Sequence, residues 1–329
     1  MIGDVVGDPG LEVLEKRLPV LRAEYRPLLV TVNGENAAGG FGLTEESLNR
    51  IFAAGADVVT SGNHVWEKRE FWPVLESGKA VLRPANYPDR LPGGFSFPAN
   101  PPESGPAADD SPESGPVSVS GNGPSANSPS EPAALLTVPG RGWLALEKPV
   151  SESPAGTIPA GDGSTGKRIP FLVINLQGRK RMTAIDCPFR CFDRILAESA
   201  GRDKEAAAEN PRVVIVDFHA ESTDEKEALG YYLDGRVSVV AGTHTHVQTA
   251  DERILPGGTA YITDLGMTGA MNGVIGMDAG ICINRAKSQI AYRMECARPD
   301  SEQDCAVQGV VAEIDGETGR ALGIRRINV

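Results

Sequence analysis

The sequence predicts an α/β fold in which two sheets pack together between flanking helices, and two observations carry that expectation. The first is a repeated pattern. "LLVTVNGEN", "ADVVTSGNH", "VVIVDFHAE" and "VSVVAGTHTHVQ" are each a short apolar, β-branched run that ends in small residues and then a nitrogen or oxygen donor. The second is order: helical patterns alternate with strands early, whereas strands follow one another directly near the end, as in a layered α/β architecture.

Taken in order, the chain opens on the stub of a strand. Only three residues precede Asp4, fewer than a parallel core strand normally has before its terminal polar residue, so either this strand is very short or the start lies upstream. Residues 4–10 read as a loop leading into a helix with Leu11, Leu14, Leu18 and Leu21 on one face. Pro19 is expected to kink or divide that helix. In residues 33–42, Gly39, Gly40 and Gly42 free the backbone for positive φ and close approach to a ligand, although a glycine cluster alone is more often a turn. Thr44 is a good N-cap, with Glu45 and Glu46 in the first turn of a helix that Gly55 stops. After the "DVVTSGNH" strand, "VWEKREFWPVL" reads as a further helix until Pro73 disturbs it.

Composition then changes. Over residues 93–139, Pro, Ser, Gly, Asn and Ala dominate and "ESGP" occurs twice; residues 149–167 repeat the character. Such tracts bury too little apolar surface to offset their ordering entropy. Both are expected to be disordered insertions without catalytic role, in a chain (1–329) that otherwise forms a single domain. Between them "GRGWLALE" alternates as a strand and should pair with residues 169–175 as a hairpin. Arg179, Lys180, Arg181 and Arg190 are the basic residues expected nearest the site, each more simply read as solvated charge. "STDEKEALGYYLDG" is a helix capped by Ser222 or Thr223, and a last hairpin turns at residues 315–319.

Charge and cysteine usage narrow the function. With 44 Asp and Glu against 32 Lys and Arg, the net charge of −12 argues against general nucleic-acid or membrane-surface binding. A phosphate substrate would have to be held locally, by metals and a few donors. The five cysteines show no CxxC spacing and read as reduced thiols of a cytoplasmic protein. No apolar run is long enough to span a bilayer, and no signal-peptide pattern opens the chain.

The strand ends carry the chemistry. The chain has four histidines; His244 and His246 are spaced i, i+2 after a strand, and His64 and His219 sit in similar settings. A single histidine suits many bland roles. Here Asp, Glu, Asn and His, with no Cys, recur at the carboxyl ends of strands, where open α/β sheets place their sites. That borderline-hard set suits Mn, Fe or Zn, and its size points to two ions sharing a bridging carboxylate. Glu221 is a candidate partner to orient His219.

The blocks "GDVVGDPG", "NGENAAGGFG", "GNHVWEK", "RPANYP", "VINLQGR", "DCPFR", "VDFHAE", "GTHTHVQTADERILPGGTAYITDLGMTG" and "VIGM" together resemble the bacterial metallophosphoesterases of the YmdB type. The resemblance runs in order through nearly the whole chain outside the biased tracts. It implies the calcineurin-like four-layer α/β/β/α metallophosphoesterase sandwich and a dinuclear phosphodiesterase of 2′,3′-cyclic nucleotides. Carried over, it implies a first metal held by Asp4, Glu35 and His246, and a second by Glu35, Asn63, His219 and His244, with Glu35 bridging. Asn36 would lie by the metals and substrate phosphate. His64 would be the general acid for in-line attack by a metal-bridging hydroxide. The metals would be Fe or Mn by resemblance, and ligand type leaves Zn open. Val6 stands where the commoner D-x-H metallophosphoesterases have histidine. The implied partner is a small cyclic nucleotide; a homo-oligomer is left open. The alternative is a metal-dependent regulator that binds a nucleotide or RNA end with incidental hydrolysis, and His64 discriminates, because a pure binder needs no proton donor.

Overall fold

The computed structural model describes residues 1–88, 138–150, 168–201 and 213–329. The expected insertions, 93–139 and 149–167, lie outside the described residues except at their edges. The chain falls into two units, Met1–Tyr87 with Pro139–Val329, and Pro88–Val138. In chain order the strands of the first unit are β1 (Asp4–Val5), β2 (Thr31–Asn33), β3 (Val58–Thr60), β4 (Trp143–Pro149), β5 (Arg168–Gln177), β6 (Val213–His219), β7 (Val239–Thr243), β8 (Arg253–Ile254), β9 (Ala260–Ile262), β10 (Met267–Ala270), β11 (Cys305–Ile314) and β12 (Ala321–Asn328). Its helices are α1 (Gly7–Tyr25), α2 (Glu45–Ala54), α3 (Trp72–Leu75), α4 (Pro188–Gly201), α5 (Thr223–Leu233) and α6 (Ala279–Ser288). The protein is mixed α/β.

One sheet runs in the order β4-β5-β6-β7-β9-β8, parallel at its centre and closed by antiparallel β4 and β8 at the edges. The expected hairpin of "GRGWLALE" with residues 169–175 is β4 on β5. A second set is built on β1, which pairs in parallel with β10; β10 and β12 each pair antiparallel with β11. Just before β1, Ile2 bridges both Val32 of β2 and Gly309 of β11, while β2 pairs in parallel with β3.

Side-chain alternation gives β5, β6 and β7 two different faces. Leu172, Ile174, Val216 and Phe218 point to Phe192 and Ile195 of α4 and Leu229 and Leu233 of α5. The other face begins apolar, with Ile169, Phe171, Val213 and Ile215 packed on Met1, Leu29 and Ile314. Towards the carboxyl ends it becomes polar: Asn175 registers with Asp217, and Gln177 with His219 and Thr243. One inter-sheet layer is therefore oily at one end and ligand-rich at the other.

The helix expectations meet three corrections. Residues 4–10 are not a loop, because α1 starts at Gly7, whose φ of +58° lets the chain turn straight from strand to helix. Leu11, Leu14, Leu18 and Leu21 are buried as expected, but Pro19 lies inside a continuous helix and does not divide it. "VWEKREFWPVL" forms two short 3₁₀ turns, Asn63–Trp66 and Arg69–Phe71, and then α3. Pro73 sits in the first turn of α3, where its missing N–H would have had no partner, so it begins a helix rather than ending one. The α2 signals act as read: the Thr44 hydroxyl accepts from the Ser47 amide at 3.2 Å, and Gly55 ends the helix with φ of +117°.

Candidate metal centre

Five strand ends supply the site: Asp4 of β1, Glu35 after β2, Asn63 and His64 after β3, His219 of β6, and His244 and His246 after β7. Glu35 Oε1 lies 2.9 Å from His219 Nε2. The same nitrogen is 3.1 Å from Asn63 Oδ1 and 3.0 Å from His244 Nδ1. Glu35, His219 and His244 each offer a ligand atom within 4.8 Å of the others. Alongside, Asp4 Oδ2 accepts the His244 amide at 3.1 Å, and Asp4 Oδ1 is buried with no hydrogen-bond partner. His246 Nε2 faces Asn36 Oδ1 at 3.3 Å.

Hydrogen-bond bookkeeping shows what these atoms lack. The Thr243 hydroxyl donates to Asp217 Oδ1 at 2.7 Å, so at its 3.0 Å contact with His219 Nδ1 it acts as acceptor. The His219 proton is thereby placed on Nδ1, and Nε2 presents a lone pair to Glu35, Asn63 Oδ1 and His244. His246 repeats the arrangement: Nδ1 donates to the Ile275 carbonyl at 2.9 Å, leaving Nε2 as a lone pair facing the Asn36 oxygen. Ligand atoms that converge in this way fit a cation, which would take the place of a second imidazole proton on His219 Nε2. Together with the orphaned Asp4 oxygen, they make the donor set suitable for hard or borderline metal ions.

Electrostatics agree. Burial would raise the Glu35 carboxyl, but adjacent His219 holds it at about 2. Burial opposes charge on His219 as well, yet Glu35 and Asp4 raise its pKa overall. A positive charge is thus favoured among these acids. Burial pushes Asp4 up to about 7 against the pull of His246 and His219. For His244, burial and then His219 lower the imidazole to about 3, so it is neutral and available as a donor at neutral pH.

Backbone shape also positions the site residues. His244 and His246 have φ of +99° and +62°, a region that L side chains seldom occupy. Asp264 and Asp4 brace this turn by accepting its amides. Gly62 leaves no room for a side chain: a Cβ there would stand 2.1 Å from Glu35 Oε2 and 2.2 Å from His219 Cδ2.

The YmdB-like protein family model matches residues 1–100 and 156–327. The chain belongs to the YmdB-like family. A 2′,3′-cyclic-nucleotide 2′-phosphodiesterase of Bacillus subtilis (strain 168) is 37% identical to it over 327 residues, covering 99% of this chain and 94% of the relative. Among solved structures, a hypothetical protein from Thermus thermophilus superposes with a TM-score of 0.71 at 32% identity, over 100% of this chain and 97% of that one. A phosphatase from Mycoplasma pneumoniae superposes with a TM-score of 0.71 at 25% identity, over 100% and 91%.

Within this YmdB-like chain, several supporting contacts escaped the sequence reading. Glu221 does not orient His219; its Oε2 lies 3.3 Å from His244 Nε2, because His219 Nδ1 is already engaged by Thr243. His64 donates its amide to Glu35 Oε2 at 3.3 Å, and its ring lies between Glu67 Oε1, 3.4 Å from Nδ1, and the edge of Phe41. Lys226 and Asp264 form a buried ion pair at 2.7 Å behind the His244–His246 turn. Lys226 shares the buried stripe of α5 with Leu229 and Leu233. A lysine on such a stripe is the one local sign of a buried partner. Val6 is buried beside Met267 and Met277.

Proposed function

We propose that this YmdB-like chain is a dinuclear-metal phosphodiesterase that hydrolyses cyclic nucleotides, first among them 2′,3′-cyclic nucleoside monophosphates. Its family membership makes it a metal-dependent phosphodiesterase. The observation that carries the finer reading is the set of lone pairs converging between Glu35 Oε1, His219 Nε2, Asn63 Oδ1 and His244 Nδ1, with Asp4 Oδ1 orphaned beside them. On this reading one ion is held by Asp4, Glu35 and His246, and the other by Glu35, Asn63, His219 and His244. Fe or Mn is our assignment, resting on resemblance to the family. We further read the two sheets and their helices as the four-layer sandwich of that family, and the chain as one domain interrupted by its biased tracts.

When bound, such ions neutralise phosphate charge and acidify water for in-line attack. The chain's own residues do the rest. Thr243 and Ile275 fix the tautomers of His219 and His246. Asn36, whose Nδ2 is committed to the Gly40 carbonyl at 2.9 Å, turns its oxygen towards His246. His64, supported by Glu67, supplies a proton to the departing ribose oxygen. A proton donor in this position favours an enzyme over a pure nucleotide-binding regulator.

The test is metal analysis of the purified protein and of Glu35→Gln, paired with turnover of 2′,3′- and 3′,5′-cyclic nucleotides and monoesters. Two ions per chain, loss of at least one in the variant, and preference for 2′,3′-cyclic substrates are expected. Full dinuclear occupancy in Glu35→Gln would remove the bridging role.

A further inference from the structure

Two buried side-chain amides approach the metal centre from β5. Asn175 and Gln177 are fully buried, and strand alternation puts them on the face of the sheet that carries Asp217 and His219. Asn175 Oδ1 accepts the Ser61 amide at 3.1 Å, which places it beneath the segment leading to Asn63. Gln177 stands two residues further along, in direct register with His219 of β6. Neighbouring strands lie about 4.8 Å apart, so the Gln177 amide comes level with the His219 ring. Asn175 Nδ2 and Gln177 Nε2 are buried donors without an acceptor among the described residues. Such a donor costs free energy until a ligand supplies the acceptor.

Its neighbours aim Gln177. On the strand edge away from β6, Asn86 accepts the Gln177 N–H at 2.9 Å and donates to its carbonyl at 2.8 Å. Tyr87, the next residue on that edge, donates its hydroxyl to Gln177 Oε1 at 3.3 Å. Oxygen and nitrogen occupy opposite arms of a carboxamide, so this contact turns Nε2 away from Tyr87 and towards His219. The Tyr87 ring is itself held, edge-on to Trp66 with centroids 5.2 Å apart, under the Asn63–Trp66 turn. Positive charge just beyond β5 is engaged elsewhere: Lys180 pairs with Asp224, and the Arg179 and Lys180 amides donate to Glu225.

We infer that Gln177 is a substrate-binding residue, whose Nε2 donates to a phosphoryl oxygen of the ester seated over His219 and Asn63, and that Tyr87 is the positioning residue that orients its amide. The inference rests on the phosphodiesterase reading above and names a donor for that reading's substrate. A chain of net charge −12 has no broad positive field to hold a phosphate, so individual donors at the site must do it. An ionised phosphodiester offers acceptors only, which is the complement of an amide N–H aimed beside the ligand atoms. A hydrogen bond to a charged acceptor is stronger than one between neutral groups, so substrate binding more than offsets the cost of keeping Nε2 unpaired in the free protein.

The test uses three variants of the metal-loaded protein. Gln177→Met keeps the length of the side chain and removes the donor. Gln177→Glu keeps its shape and its contact with Tyr87 but puts an acceptor where Nε2 was, and Tyr87→Phe keeps the ring while releasing the amide. Metal content, Tm, inhibition by inorganic phosphate and turnover of a 2′,3′-cyclic nucleotide are measured for each. Gln177→Met should keep its metal and its Tm, because the donor it removes has no partner in the free protein, yet bind inorganic phosphate about tenfold or more weakly. Gln177→Glu should bind phosphate more weakly still, the reverse of the order for a structural amide, which glutamate mimics better than methionine. Tyr87→Phe should show a smaller loss. Parent-like phosphate affinity in Gln177→Met would overturn the inference and leave the phosphodiesterase reading standing. Metal loss in that variant would also overturn it, by making Gln177 a support for the ligands. A parent that neither turns over the cyclic nucleotide nor binds phosphate would remove the phosphodiesterase reading itself, and this inference with it.

Discussion

The Asp264 carboxylate accepts both the amide and the hydroxyl of Thr245, at 3.2 and 2.7 Å through a single oxygen, Oδ2. Thr245 lies between the two histidines of the His244–His246 turn, so this contact clamps the segment that carries both imidazoles. The same oxygen meets Lys226 Nζ at 2.7 Å, while Oδ1 accepts the Gly266 amide at 2.8 Å. Thr245→Val removes one bond to a charged acceptor, worth about 1.5–3 kcal/mol, and should release the turn more than the fold. Metal affinity, measured by competition with a chelator, is expected to fall while the Tm moves by only a few degrees. Unchanged affinity would show that the turn is held by other means.

Lys226→Met leaves Asp264 as a buried charge without its counter-ion, a change that typically costs about 3–5 kcal/mol. The variant should melt well below the parent and bind metal more weakly. Chemical denaturation with metal and without it separates the two effects, and the deficit should persist in the metal-free protein.

Gly62 directly precedes Asn63, and Gly62→Ala tests the space beside Glu35 and His219. The new methyl would fall on Glu35 Oε2 and His219 Cδ2. The expected result is a folded protein that has lost metal and turnover together. Full metal content in Gly62→Ala would mean that Glu35 and His219 move aside without harm to the site.

His64→Ala should keep its metals yet lose about 10²–10⁴-fold in kcat on a cyclic nucleotide, whose alkoxide leaving group needs a proton. The loss should be far smaller on a nitrophenyl phosphodiester. Glu67→Gln retains a partner for Nδ1 without the charge and should show a milder loss with the same dependence on leaving group. Equal losses on both substrates would take the acid role from His64.

Asp57 ties the end of α1 and the start of β2 to β4, through Arg22 at 3.0 Å, the Val30 amide at 2.7 Å and Lys148. Burial raises its carboxyl, but Lys148, the Val30 amide and Arg22 outweigh burial and hold it below the ordinary carboxylate value. A depressed folded pKa means that this stabilisation is present above the unfolded value, about 3.9, and is lost as pH falls through the folded one. Asp57→Asn should therefore lower the Tm at pH 7, and the gap to the parent should narrow below about pH 4. A gap of the same size at pH 3 would remove the charge from the explanation.

What the sequence by itself determined is local and periodic. The runs that became β2, β3, β6 and β7, each ending at a donor, were legible because strand alternation and apolar content act within a few residues. The caps of α2 at Thr44 and Gly55 were legible for the same reason. The residue types at the strand ends also limited the chemistry to hard or borderline metals. Tertiary structure alone decided which donor serves which. Glu221 lies two residues from His219 yet reaches His244, because Thr243 on the neighbouring strand already holds His219 Nδ1. Asp264 braces Thr245 only because β9 lies beside β7, and Lys226 finds Asp264 only because α5 packs under that turn. Spacing along the chain encodes the direction of a side chain, whereas distances between loops are set by strand order and register, and no local pattern carries those.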